Sequence, residues 1–192
     1  RDEHRVTQIK EAVKAHGIRG VETHVVDVFA FNSEEKFDVV LSLFHVFSYL
    51  NSNTDVAAGF KTVDLNLKKD GLFIFDFWYG PGVLTDLPQT RIKNFENENL
   101  KITRMARPEI NFSNNIVDVN YELLINSKFD NEFHEMFETH CMRYFFKQEL
   151  DLFHNVTNKK GNVKVCSICC FFIKINFLYC LYSFIPLHTK AR

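Results

Sequence analysis

The stretch FDVVLSLFHVFSYL, Phe37 to Leu50, carries the reading of the fold. From Phe37 to Leu43 it is almost unbroken apolar chain. It then empties into His45, Ser48 and Tyr49. Strands buried on both faces read as continuous hydrophobic runs, whereas half-buried strands alternate. A core strand needs no polar ending, but a strand whose carboxyl end lines a ligand crevice does.

Working downstream, Ser52 and Asp55 have capping-box spacing. Val56, Phe60, Val63 and Leu67 follow at i, i+4, i+7 and i+11, which predicts a helix. Lys68 and Lys69 read as its last turn and Asp70-Gly71 as its stop. LFIFDFW, Leu72 to Trp78, is a second near-continuous apolar strand. Phe37 to Trp78 is therefore expected to be a right-handed β-α-β crossover.

Upstream, Val6, Ile9 and Val13 fall at helical spacing, with Lys14 and His16 in the last turn and Gly17 as the cap. VETHVVDV, Val21 to Val28, is β-branched and reads as a strand ending in an acid. The first half thus reads α-β-β-α-β, a parallel sheet covered by helices on both faces.

The period changes in the second half. Val117, Val119, Tyr121, Leu123 and Ile125 alternate with Asp118, Asn120, Glu122 and Leu124, which predicts a half-buried antiparallel strand. A turn at NSKFDNE leads to a returning strand, 134–146, and Lys101–Arg107 adds another. The fold class expected is α/β, a partial Rossmann-like sheet with an appended small antiparallel sheet.

Composition narrows the function. The chain has 192 residues, a net charge of −1 and 21 phenylalanines, with few glycines and prolines. That excludes a disordered chain and gives no basic footprint for nucleic acid. The five cysteines are odd in number, and Cys166, Cys169, Cys170 and Cys180 crowd the end, so a secreted disulfide framework is not expected. Cys166 and Cys169 have half of a zinc spacing with no second half, so no metal is expected. The chain opens on a charged helix rather than a signal peptide, and a cytoplasmic location is expected. Asn155 to Thr157 is a glycosylation sequon, read as chance.

From about residue 155 the character shifts. VCSICCFFIKINFLYCLYSFIPL carries one charge, Lys174, near its centre. Three readings stand: a carboxyl-terminal membrane anchor, a buried strand and helix, or translated sequence not selected to fold here.

Three strand ends gather chemistry: Asp27-Val28-Phe29, Leu43-Phe44-His45, and Asp76 with Phe77, Trp78 and Tyr79. Each has a plainer reading. Asp27 serves as a turn residue, His45 as a structural histidine, and Trp78 and Tyr79 as core aromatics.

VVDVFAF, FDVVLSLFHVFSYL and LKKDGLFIFDFW, in that order and spacing, resemble the middle of a class I S-adenosylmethionine-dependent methyltransferase. VDVNYELLI and FHEMFETHCMRYFFKQEL resemble the antiparallel sheet of a subgroup that includes small-molecule N-methyltransferases acting on amino sugars. The resemblance covers residues 1–154, divided as a Rossmann-like part, 1–84, and an antiparallel part, 85–154, with 155–192 as an apolar tail. It implies S-adenosylmethionine as cofactor and a small-molecule methyl acceptor, an amine among the candidates. Asp27 would accept a hydrogen bond from the adenine amino group, beside the Val28 and Phe29 backbone. Leu43, Phe44 and His45 would border the methionine part, and Tyr49, Trp78 and Tyr79 the acceptor. His45, Tyr49 and His140 are the candidate bases, with His45 first.

The sequence departs from that family in two places. A Gly-rich loop after the first strand and an acid ending the second are absent, so an amino-terminally incomplete domain with weak or no activity alone is expected. Two non-enzymatic alternatives remain: an interaction module pairing through an exposed sheet edge, including association with a second copy, and a protein anchored by its tail.

Overall fold

The computed structural model describes residues 2–27, 31–130, 132–157 and 164–170, with 2–5 and 164–170 described by backbone alone. The chain divides into two units, residues 1–31 with 172–192, and residues 32–171.

In the first unit, α1 spans Asp2–Ala15. Gly17 stops it at φ +63°, a conformation open to a residue without Cβ. The Gly17 N–H donates to Lys14 O at 3.1 Å and the Ile18 N–H to Val13 O at 3.0 Å, which satisfies carbonyls the helix leaves open. The strand expected at Val21–Val28 is corrected: residues 21–27 form no strand. β-branched residues favour a strand only where a neighbour supplies the ladder and a face is buried, and here Val21, Val25 and Val26 are exposed.

The second unit begins with β1, Phe37–Ser42, followed by a 3-10 turn, Val46–Tyr49, and helix α2, Asn53–Asn66. Strand β2, Leu67–Tyr79, and the short helix α3, Gly80–Thr85, come next. Four antiparallel strands then run β3 Arg91–Glu96, β4 Leu100–Asn111, β5 Ile116–Ser127 and β6 Phe133–Phe145. Helix α4, Lys147–Thr157, and strand β7, Lys164–Cys170, complete the described elements.

The capping box forms as its spacing predicts. The Asp55 N–H donates to Ser52 Oγ at 3.0 Å, and the Ser52 N–H to Asp55 Oδ2 at 3.3 Å. The end of α2 differs from expectation, because Lys68 and Lys69 lie in β2 and not in a last helical turn. Pairing jumps from Phe37–Leu67 to Val39–Leu72, so the extra residues of β2 bulge, with Asp70 at φ +63°. A Cβ on Gly71 would stand 2.9 Å from Lys68 O and 3.2 Å from Asp38 O, so this close approach needs glycine.

β1 and β2 pair in parallel, as the crossover requires. The described strands form one seven-stranded sheet in the order β1-β2-β6-β5-β4-β3, with β7 also pairing with β2. The antiparallel part is joined edge to edge rather than stacked: Trp78 pairs with Tyr144 and Tyr79 with Phe145, in parallel. β3 had no signal in the sequence reading, since RIKNFE shows no apolar alternation strong enough to mark a strand.

One face of this sheet holds a phenylalanine cluster, while Trp78, Tyr144, Met142, Val117, Val119 and Leu123, also buried, lie on the other. Phe73, Phe75 and Phe77 are fully buried in that cluster, against Phe47, Val56 and Phe60 from one side of the chain and Phe145 and Leu150 from the other. Phe47 and Phe75 rings lie 4.6 Å apart and Phe73 and Phe75 stack at 4.7 Å. The other face departs from expectation. On it Val39 is 46% and Leu41 58% exposed, so the apolar run of β1 is not covered on both sides. Within the second unit α2 and α4 both pack on the phenylalanine face, through Val56, Phe60 and Leu150.

Among the described residues no helix is long and apolar enough to cross a membrane. The tail beyond Cys170, and with it the choice among its three readings, lies outside the described residues.

Candidate functional site

The site grows from the parity of β2. Residues that alternate along a strand point to opposite faces. Phe73, Phe75 and Phe77 enter the core, which leaves Ile74, Asp76 and Trp78 on the other face. Pairing extends that second face across the sheet, because directly opposed residues share a side. Trp78 continues to Tyr144, then Met142 and His140 on β6, Val119 and Tyr121 on β5, and Arg104 on β4.

Asp76 is the anchor. Its Oδ2 accepts the Phe44 N–H at 3.1 Å and its Oδ1 the His45 N–H at 2.8 Å. Phe44 and His45 both have left-handed backbone, at φ +65° and +60°. Two consecutive non-glycine residues in that region are strained, and only a fixed partner holds them. The turn aims successive N–H groups at one carboxyl group, and it leaves the Phe44 ring 73% exposed. Replacing Phe44 with glycine is therefore expected to raise unfolding free energy by about 0.5–1 kcal/mol, the relief of strain less the entropy glycine adds. A lower melting temperature in that variant would show that the ring, not the backbone, sets the balance.

His45 lies beside the same acid, with Nδ1 3.4 Å from Asp76 Oδ2 and no hydrogen bond to Nδ1. Burial holds its pKa below the usual 6.5 and outweighs the attraction of Asp76. The imidazole is neutral at neutral pH. The unfolded chain then binds the proton first, so stability falls as pH drops below about 6.5 and the loss is complete below the folded-state pKa. In His45→Asn this component of acid destabilisation is expected to disappear from unfolding midpoints measured across pH, since asparagine accepts the left-handed turn without titrating.

The turn that follows straddles the end of the sheet. Phe47 enters the phenylalanine core, while the Ser48 hydroxyl, fully buried, accepts the Trp78 N–H at 2.9 Å. Tyr49 reaches the opposite face, where its hydroxyl lies 2.5 Å from His140 Nδ1. His140 Nε2 is 3.5 Å from Glu138 Oε2, and the His140 ring packs edge-on against Tyr121 at 5.2 Å. A phenol, an imidazole and a carboxylate are thus in series, an arrangement able to accept and pass a proton.

The structure brings together Phe44, His45 and Asp76, and separately Tyr49 with His140, while Trp78 is buried and gives its N–H to Ser48. Tyr79 packs against the core cluster, away from Trp78. Asp27 is exposed and belongs to the first unit, while Val28 and Phe29 lie outside the described residues. Among the described residues no cluster of side chains is suited to a metal. Burial, with help from Asp118, pushes the Cys141 thiol up to about 11.

Several of these residues were not singled out from sequence. Asp76 reads from the sequence as an acid at a strand tip, and an acid inside LFIFDFW is itself a signal, because a charge in a buried run needs a partner. Arg143 and Glu149 form an ion pair beneath the turn, with no spacing to betray it. Arg104 sits in the buried register of β4, two residues after Ile102.

No family model and no curated protein matches the sequence. Solved structures do match its fold. One is a S-adenosylmethionine-dependent methyltransferase from Clostridium acetobutylicum ATCC 824, with 18% identity and a TM-score of 0.61 over 79% of this chain and 58% of that one. Another is the sugar N-methyltransferase KedS8 from Streptoalloteichus sp ATCC 53650, at 16% and 0.65 over 77% of this chain and 57% of that one. A third is CalS10, an amino pentose methyltransferase from Micromonospora echinaspora solved with S-adenosylmethionine bound, at 17% and 0.60 over 77% of this chain and 60% of that one. The fold is therefore the Rossmann-like methyltransferase sheet with its antiparallel addition. The chain spans between 57% and 61% of the length of these solved structures and two others like them.

Proposed function

We propose that this sheet serves methyl transfer from S-adenosylmethionine to a small-molecule acceptor, with an amine as the favoured nucleophile. One observation carries the reading: the left-handed turn at Phe44–His45, held on Asp76 where β1 and β2 end, in a fold shared with methyltransferases. Stored backbone strain at the carboxyl ends of parallel strands is characteristic of ligand sites.

The residues fit such a cofactor in part. The exposed Phe44 ring offers an aromatic face to a sulfonium, whereas Trp78 is buried. A Gly-rich phosphate-type turn and a ribose-binding acid are not in the sequence. When bound, the cofactor would supply an electrophilic methyl group. Leu43, Phe44 and His45 would border its methionine part, and Tyr49 and Trp78 would hold the acceptor amine in line with the methyl. Tyr79 would support that wall from within the core. The amine must be neutral to attack, and the proton it loses on transfer would pass to Tyr49 and His140. His45, neutral and less basic through burial, would serve as a wall first and as a base second. On this reading residues 1–154 belong to the catalytic domain.

Titration with S-adenosylmethionine tests the proposal, on this chain and on one carrying its native upstream residues. A rise in melting temperature that grows with cofactor concentration is expected in the longer chain. No rise there would remove the proposal.

The exposed apolar side chains of β1 favour one second reading, pairing of this strand with another chain. Light scattering separates the two: this reading requires a mass that grows with concentration and returns to monomer in Val39→Lys.

A further inference from the structure

We propose that Arg104, with Lys93 and Arg91, forms an oxyanion subsite on the inner face of the antiparallel strands, and that the methyl acceptor carries a phosphate or carboxylate seated there. The subsite rests on geometry. Its assignment to the acceptor rests on the methyltransferase reading.

Arg104 is only 5% exposed, and its Nε and Nη1 are buried without a hydrogen-bond partner. A guanidinium with donors left open inside a fold is costly, since such groups are normally paired. Its visible company is aromatic: the guanidinium carbon lies 5.8 Å from the Phe95 ring centre and 5.5 Å from that of Tyr121. Burial lowers the tendency of Arg104 to hold its proton, but a guanidinium stays charged.

Its neighbours raise the charge further. Lys93 is the residue directly opposite Arg104 across β3 and β4, and Arg91 stands opposite Ala106 on the same face. All three side chains share that face, and like charges directly opposed across strands are destabilising. Among the described residues of β3 to β6 this face carries one acid, Glu138, which is engaged with His140 at 3.5 Å. The other face shows what a satisfied arginine looks like in the same sheet. There Arg107 Nη1 meets Glu122 Oε2 at 2.5 Å. A planar fork of donors, with a second and third cation beside it, is complementary to an oxyanion.

The subsite also stands in the right place. Tyr121, against which Arg104 stacks, packs on His140, and His140 contacts the Tyr49 hydroxyl. An acceptor anchored at Arg104 would therefore extend along this face toward Tyr49.

The test uses the whole chain, with inorganic phosphate and acetate as probes, followed by thermal shift and calorimetry. Phosphate or acetate should raise the melting temperature of the wild type, and the stronger of the two identifies the group. Arg104→Met should weaken that binding about 10- to 100-fold, the worth of one charge-assisted contact. Without probe it should melt above the wild type, because a buried unpaired charge is gone. Lys93→Gln, at a half-buried position, should weaken the probe and leave the fold intact. Should neither probe protect the wild type, or should Arg104→Met melt lower while Lys93→Gln binds as before, Arg104 is structural and the proposal is overturned. Protection by phosphate without any response to S-adenosylmethionine in the longer chain would support the subsite and overturn only its assignment to a methyl acceptor.

Discussion

Asp76→Ala is expected to cost about 3 kcal/mol of unfolding free energy and to abolish the stabilisation by S-adenosylmethionine that the proposed function requires. The carboxyl group accepts two backbone N–H groups, from Phe44 and His45, and each charge-assisted bond is worth about 1.5–3 kcal/mol. Both donors sit in left-handed backbone that relaxes once the partner is gone. The loss therefore falls on the turn more than on the core, and the site changes shape before the chain unfolds. Asp76→Asn is the control for volume. Its amide keeps one acceptor and turns an N–H toward the other donor, so it should lose nearly as much. Asp38→Ala is the control for charge: its bond to Lys68 is exposed, and removing it should cost less than about 1 kcal/mol. Urea unfolding of the three variants decides the matter. A loss in Asp76→Ala no larger than in Asp38→Ala would mean that the turn holds itself, and the proposed site would lose its anchor.

A larger effect is expected from Arg143→Ala, about 3–5 kcal/mol. Arg143 is buried on the core face of β6 and contacts four residues. Its Nη1 donates to Asn51 O at 3.3 Å, its Nη2 to Asn53 Oδ1 at 2.8 Å and to Glu149 Oε1, and its guanidinium lies 5.0 Å from the Phe145 ring. The residue thus ties the antiparallel part to the start of α2, the start of α4 and the end of the Tyr49 turn. Truncation leaves Glu149 partly buried and unpaired, the costly half of a broken ion pair. The double variant Arg143→Met/Glu149→Leu should recover most of the loss, since an apolar pair of similar volume leaves no uncompensated charge. If the double variant is no better than the single one, the value of Arg143 lies in its bonds to Asn51 and Asn53 instead.

Much of the fold was legible because period is a local property. Apolar runs at Phe37 and Leu72, a cap at Ser52 and alternation from Val117 each depend on neighbours in sequence, and each formed. Where the reading failed, a distant partner decided. Val21–Asp27 has strand chemistry and no strand beside it. Lys68 and Lys69 suit a helix end, but burying Leu67 and pairing with β1 drew them into β2. β3 lacks a clear pattern and became a strand because β4 offered it an edge.

The candidate site divides in the same way. His45, Tyr49 and Trp78 were visible as polar and aromatic residues at the ends of apolar runs. Their partners were not. Asp76 lies more than thirty positions from the N–H groups it binds, and His140 lies 91 from Tyr49.

By itself the sequence determined β1, the start of α2, β2, β5, the parallel crossover and the change to alternating strands, because each follows from which residues repeat at which interval. Only tertiary structure decided which face of β2 is core, that β6 joins the two halves, and that an acid holds a strained turn. Those outcomes depend on pairing and burial between segments far apart in the chain, and hydrogen-bond and charge complementarity leaves no periodic trace in any one of them.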